Sequence, residues 1–169
     1  PQYGNYSLTP AEIIAAAHAD PGPDTVHINH IHSFFGLEGN SGLAIDTGME
    51  PPQSMVPGSV RRLDPSVTNY FTDTFDALEI WIESGRAQVF ESFYGRNLGD
   101  WINLLNQGII GTGVANSDTH KRISGQSGSP RTYVASPTDD PGQLRHIAET
   151  LSGNVNDGRA FGSNAPFVR

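Results

Sequence analysis

The sequence contains no cysteine, which excludes a disulfide framework, a thiolate zinc finger and a cysteine nucleophile at once. Any metal ion must then be held by nitrogen and oxygen donors. Lysine is almost as scarce: Lys121 is the single one, and 10 basic residues face 18 acidic ones for a net charge of −8. Such a surface repels a phosphate backbone instead of releasing its counterions, so nucleic acid is not an expected partner. No apolar run reaches bilayer length, and Pro1-Gln2-Tyr3-Gly4 has neither the basic start nor the apolar stretch of a signal peptide. We expect a soluble chain with no membrane partner, secreted or periplasmic rather than cytoplasmic, and processed or excised from something longer. The Gly-x-Ser-x-Gly pattern of a nucleophile elbow is also missing, and the glycine-rich run Gly125-Gln126-Ser127-Gly128-Ser129 lacks the lysine of a phosphate-binding loop. Covalent catalysis through serine and nucleotide hydrolysis therefore fall behind.

What is present fits one domain over residues 1–169, since a chain of 169 residues carries a single core. The 19 glycines and 12 prolines cluster between periodic segments and mark long loops. Thr9, Pro10 and Glu12 form the start of a helix, with an N-cap, a first-turn proline and the second partner of a capping box, and the helix is predicted to run to His18. Asp20-Pro21-Gly22-Pro23 stops it, and Asp24 to Asn29 reads as a β-branched strand with His30 at its C-terminal end. A long insertion at about 33–72, rich in Gly, Pro, Ser and Asp, is expected to overhang a site. Phe75 to Trp81 is a second strand; Trp101, Leu104 and Leu105 form a helical stripe ended by Gly108; and Ile109 to Val114 is a third strand. Arg131 to Ala135 is a fourth strand, Asp140-Pro141 opens a helix through Leu151, and Ala160-Phe161 is a short extended piece. Alternation of this kind predicts an α/β fold with parallel strands and crossover helices. Only about four strand–helix units are present, against the eight of a closed (β/α) barrel. The expectation is half of a barrel or a small open sheet.

The stretch Asn116-Ser117-Asp118-Thr119-His120 carries the most chemistry. In an extended loop Asp118 and His120 point the same way, so one backbone segment offers an oxygen and a nitrogen donor to one ion at the end of a strand. An Asx-turn at Asp118 with a surface His120 fits the same residues. His27-Ile28-Asn29-His30-Ile31-His32 is the second cluster, with His30 and His32 on one face and His27 on the other if the strand continues. One buried, hydrogen-bonded histidine and two surface ones is the plainer reading. Glu79 stands in an otherwise apolar strand, where a carboxylate is costly unless paired, ligating or exposed, and exposure at a sheet edge is the simplest explanation. His18, which suits a helix C-terminus, and His146 receive no chemical role.

In order, Asn29-His30, Asp76-Ala77-Leu78-Glu79, Asn116-Ser117-Asp118-Thr119-His120 and Gly158-Arg159-Ala160-Phe161 resemble the PHP family of polymerase and histidinol phosphatase domains, in its branch similar to carbamate-hydrolysing metalloenzymes. The resemblance covers nearly the whole chain and implies part of a distorted, TIM-like (β/α) barrel. It implies that His30, Asp118 and His120 are metal ligands, that Asp118 also steadies the attacking water, and that Glu79 and Asn29 lie in or near the pocket. Ile31-His32 replaces the usual Pro-Arg, which leaves His32 as an extra ligand or substrate contact beside Arg122. Family members begin with a His-x-His strand, and no such pair precedes His27. The chain is therefore expected to be the C-terminal portion of such a barrel, partnered by the missing N-terminal half or by another chain.

The function these residues imply is hydrolysis of a small-molecule phosphoester, or of a carbamate or ester, by water activated on a divalent ion such as Zn, Mn or Fe. Two other classes fit. One is a non-catalytic binding or structural module that kept the fold and lost the metal. The other is a carbohydrate- or small-ligand-binding domain with Trp81, Trp101 and the long loop as an aromatic platform.

Overall fold

A computed structural model describes residues 8–22, 24–29, 31, 45–46, 61–62, 72–82, 97–106, 108–119 and 128–164. The first helix, α1 (Pro10–Ala19), begins as its sequence dictates. The Thr9 hydroxyl accepts from the Glu12 amide, and the Glu12 carboxylate accepts in return from the Thr9 amide. The paired strand β1 is short, His27–Ile28. Within the long insertion Ile45–Asp46 (β2) and Arg61–Arg62 (β3) form a two-stranded antiparallel pair. Strand β4 (Ala77–Ile82) is apolar at both parities apart from Glu79, the pattern of a strand covered on both faces. Helix α2 (Leu98–Asn106) follows. The expectation of a terminating Gly108 holds: its φ is +81°, and the amides of Gly108 and Ile109 return to the carbonyls of Leu105 and Leu104.

Strand β5 (Thr112–Asn116) completes a three-stranded sheet in the order β1-β4-β5, parallel throughout. Mixed α/β architecture around a parallel sheet is thus observed. The register pairs His27 with Ala77 and Ile28 with Leu78, then Ala77 with Thr112 and Glu79 with Val114, and shifts between Glu79 and Trp81. One face carries Ile28 and Leu78. There Ile14 from α1 and Leu104 from α2 join Ile31, Phe75 and Leu78 in a buried apolar cluster. Both helices therefore lie on the same side of the sheet. The opposite face carries His27, Ala77, Glu79, Thr112 and Val114.

Beyond β5 the strands no longer alternate in one direction. Strands β6 (Arg131–Val134) and β7 (Ala160–Ser163) pair antiparallel, contrary to the expectation of parallel pairing throughout. The helix expected from Asp140 through Leu151 is two helices, α3 (Pro141–Leu144) and α4 (Ala148–Asn156). Asp140 caps the first through the Gly142 amide. The chain then tightens through i→i−3 bonds, His146 to Gln143 and Ile147 to Leu144, and Ile147 leaves the helical region with φ −120° and ψ 26°.

The β6–β7 pair closes the outer edge of β5 by a side chain rather than a strand. The Thr132 hydroxyl accepts from the Ala115 amide at 2.9 Å and donates to the Ala115 carbonyl at 2.8 Å. Strand β7 runs alongside β5 in the same sense, with Gly158 beside Thr112 and Gly162 against Ala115. The approach at Gly162 demands glycine, because an added Cβ would sit 2.7 Å from Ala115 Cβ. The C-terminal end of α4 ties in at the start of the sheet: Thr112 donates to the Val155 carbonyl, and Thr25 and Asp24 bond Asn156. Among the described residues no helix is long and apolar enough to cross a membrane.

Candidate functional site

Parallel strands bring their C-terminal ends to one edge of a sheet, and in α/β folds ligand-bearing loops gather there. At that edge stand the exposed Asn29 after β1 and the run Asn116-Ser117-Asp118-Thr119 at the end of β5. His30, His32, His120 and Arg122 lie outside the described residues. Asp118 is exposed with φ 44°, a left-handed backbone that aspartate adopts more readily than most residues. The loop is therefore not extended at Asp118, and the same-side argument for Asp118 and His120 does not apply to it. Thr119 donates its hydroxyl to Ser117 at 3.0 Å within the same turn.

Glu79 does not sit at an exposed edge. It lies in the central strand with 3% of its surface accessible, on the face opposite the apolar cluster. The strand pattern could not distinguish edge from centre, because the neighbours that bury Glu79 belong to β1 and β5. Asn116 donates its Nδ2 to Glu79 Oε1 at 2.9 Å, so β5 supplies both the partner of the buried carboxylate and, two residues later, Asp118. A carboxylate can remain inside a sheet only when hydrogen-bonded in this way.

His27 shares this face on the neighbouring strand, in register with Ala77 and so two residues back from Glu79. Its Nε2 is sealed from solvent and has no hydrogen-bond partner among the described residues. Burial pushes the imidazole below the usual histidine range, and the charge of Glu79 opposes that shift. The sequence places both within motifs but gives neither a role in the site. The signal for both is register: once His27 pairs with Ala77, period-two alternation aligns it with Glu79.

The remaining candidates divide between packing and support. Trp101 donates its indole N–H to the Gly111 carbonyl at 2.7 Å and packs on the apolar cluster, so it is not part of an open aromatic platform. His18 has more than a helix-end role. Its Nδ1 lies 3.1 Å from Asp24, and its Nε2 lies 3.0 Å from the Thr74 carbonyl and 3.7 Å from Asp76. The Thr74 carbonyl above all, then the charges of Asp76 and Asp24, raise its pKa against the opposing effect of burial. A cleft of about 1050 Å³ opens between the loop 134–139 and the turn into β7, lined by Tyr133, Asp139, Arg159 and Phe161 among others. It takes in the motif Gly158-Arg159-Ala160-Phe161 but none of the candidate metal or substrate residues, and Gly158 in its wall adjoins Thr112, at the start of β5 rather than the end that bears Asp118.

Among the described residues no group of three or more His, Asp or Glu side chains could hold a metal ion. Asp118 is the one of the three sequence-predicted ligands that is described. No protein-family model, curated protein or solved structure matches the chain.

Proposed function

We propose that the chain is a metal-dependent hydrolase acting on a small-molecule phosphoester, and that its sheet is a portion of a distorted, PHP-type barrel. The resemblance of the ordered motifs supports the family, and two structural features support the finer fold. The strand order is sequential and parallel, and α1 and α2 pack on one side of it, as helices do outside a barrel. A doubly wound sheet would divide them between both faces. The opposite face, which Thr112 ties to the C-terminal end of α4 at the start of the sheet, bears His27, Glu79 and Asn116 and is the one we assign to the barrel interior.

The observation that carries the functional reading is the buried, hydrogen-bonded Glu79 on that interior face, joined through Asn116 to the strand that ends in Asp118. A stable core does not call for a carboxylate there, whereas polar groups enclosed near a strand's C-terminal end suit an active site. His30, Asp118 and His120 would hold the ion, an all nitrogen and oxygen donor set suited to Zn, Mn or Fe. A divalent ion so held would supply a water acidified toward neutral pH and a polarised phosphoryl oxygen. Asp118 steadies the attacking water, Asn116 keeps Glu79 turned along the interior face, and His32 or Arg122 contacts the substrate. No protein nucleophile is needed, in keeping with the absence of cysteine and of a serine elbow.

Elemental analysis of the purified protein tests this reading, comparing wild type with Asp118→Ala and His120→Ala. Stoichiometric Zn, Mn or Fe, lost on either substitution, is the expected result and leads to assays with phosphoesters, then carbamates. Absence of metal after reconstitution would refute the hydrolase and favour the non-catalytic module.

A further inference from the structure

Among the described residues the imidazole of His27 is the group on the interior face that neither the motif resemblance nor the packing accounts for. Strand spacing of about 4.8 Å and a rise of about 3.3 Å per residue set His27 and Glu79 roughly 8 Å apart at their Cα atoms, both side chains on one face. A glutamate and an imidazole together span that separation. Glu79 is almost wholly buried and is held by Asn116 from the far side, on β5. Its other neighbouring strand offers His27, whose Nε2 is enclosed without a hydrogen-bond partner among the described residues. A buried imidazole nitrogen left so costs free energy, and the nearby carboxylate is the group able to satisfy it once a proton is present between them.

We propose that His27 is a positioning residue for Glu79: the two form a buried acid–base pair in which a proton taken up at His27 Nε2 draws the carboxylate away from Asn116 and toward β1. The proton enters from solvent or from a water at the strand ends. Protonation at Nε2 turns a neutral imidazole into a cation, the carboxylate stays an anion, and the pair gains one charge-assisted N–H to O bond. Among the described residues Glu79 on β4 is the charged group whose field reaches His27. Glu79 would thus have two positions, one set by the Asn116 amide and one by His27. Its place relative to Asp118 would change with pH. That last consequence rests on the proposed function, but the pair itself does not.

The pair is tested on the metal-free chain by ¹H–¹⁵N NMR titration of the imidazoles, with His27 assigned by the signal that disappears in His27→Gln. In wild type its midpoint is expected below the ordinary histidine value. Glu79→Gln should lower it further, by at least threefold in proton affinity, because the carboxylate that favours the cation is gone. Asn116→Ala, which removes the amide that competes with His27 for the carboxylate, should raise it. A His27 midpoint unmoved by both substitutions, or equal to that of a free imidazole, would overturn the proposal. Failure of a separate, reconstituted sample to bind Zn, Mn or Fe would sink the hydrolase reading and leave the pair intact.

Discussion

Thr132 bonds the β6–β7 pair to the edge of β5, and replacing it by valine isolates its hydroxyl. Valine keeps the shape but removes the acceptor for the Ala115 amide and the donor to the Ala115 carbonyl. Ala115 is 2% exposed, so water does not readily replace either bond. Each lost bond is worth about 0.5–1.5 kcal/mol, and a buried group left unsatisfied costs about 1–3 kcal/mol. Allowing for relaxation, Thr132→Val should destabilise the chain by about 2–4 kcal/mol, a large part of a typical total of roughly 5–15 kcal/mol. At a urea slope of about 2 kcal/mol per molar, the midpoint falls by about 1–2 M. Thr132→Ser keeps the hydroxyl and loses a methyl group, and should cost about 1 kcal/mol or less. Amide exchange at Ala115 should accelerate in the valine variant alone. A valine variant within about 0.5 kcal/mol of wild type, the size of an ordinary surface substitution, or a serine variant as damaged as valine, would refute the view that one hydroxyl closes the edge of β5.

Two other perturbations follow from the same geometry. His18 faces acceptors at both nitrogens, Asp24 and the Thr74 carbonyl, and can donate to both only as the cation. Its folded pKa is raised, so its contribution is fully present below the unfolded value and is lost as pH rises through the folded one. His18→Gln should cost about 1 kcal/mol near pH 6 and less at pH 9, read from paired urea melts; a gap that widens toward pH 9 would reverse the sign and sink the argument. Gly162→Ala drives a methyl group to 2.7 Å from Ala115 Cβ, where no flexible side chain can yield, and should cost about 1–3 kcal/mol in thermal melts. An unchanged melting temperature would mean that β7 does not press on β5 in solution.

The helices were legible because their ends are written in local chemistry. Thr9 with Glu12, Asp140 with Pro141, and Gly108 each act within a few residues, and each holds in the structure. The strands were legible as elements but not in direction, since a run of strand-forming residues such as Arg131 to Val134 reads alike whether its partner is parallel or antiparallel. The candidate site was legible where it depended on chain position. Asp118 follows β5 at the sheet edge, as the Ser-Asp-x-His pattern suggested. It was not legible where it depended on register. The burial of Glu79, its partner Asn116 37 residues later, and the face taken by His27 all come from how three strands align, which no local window contains.

The burial of Glu79 can also be asked whether it serves the fold or the chemistry. A buried polar pair retained for stability should be missed when both members go, whereas one retained for function should be dispensable to folding. Asn116→Leu alone removes the amide donor and leaves Glu79 inside the sheet without that bond, which should destabilise by about 1–3 kcal/mol. Glu79→Leu in the same chain removes the carboxylate that needed it and adds apolar contact on a face already bearing Ala77 and Val114. The double variant should therefore recover to wild-type stability or exceed it, with a coupling of about 1–3 kcal/mol in the cycle. It should also fail in any activity the interior face supports. Destabilisation equal to the sum of the two single variants would show no coupling and make Glu79 and Asn116 independent structural residues, and the case for an active site on this face would lose its main support.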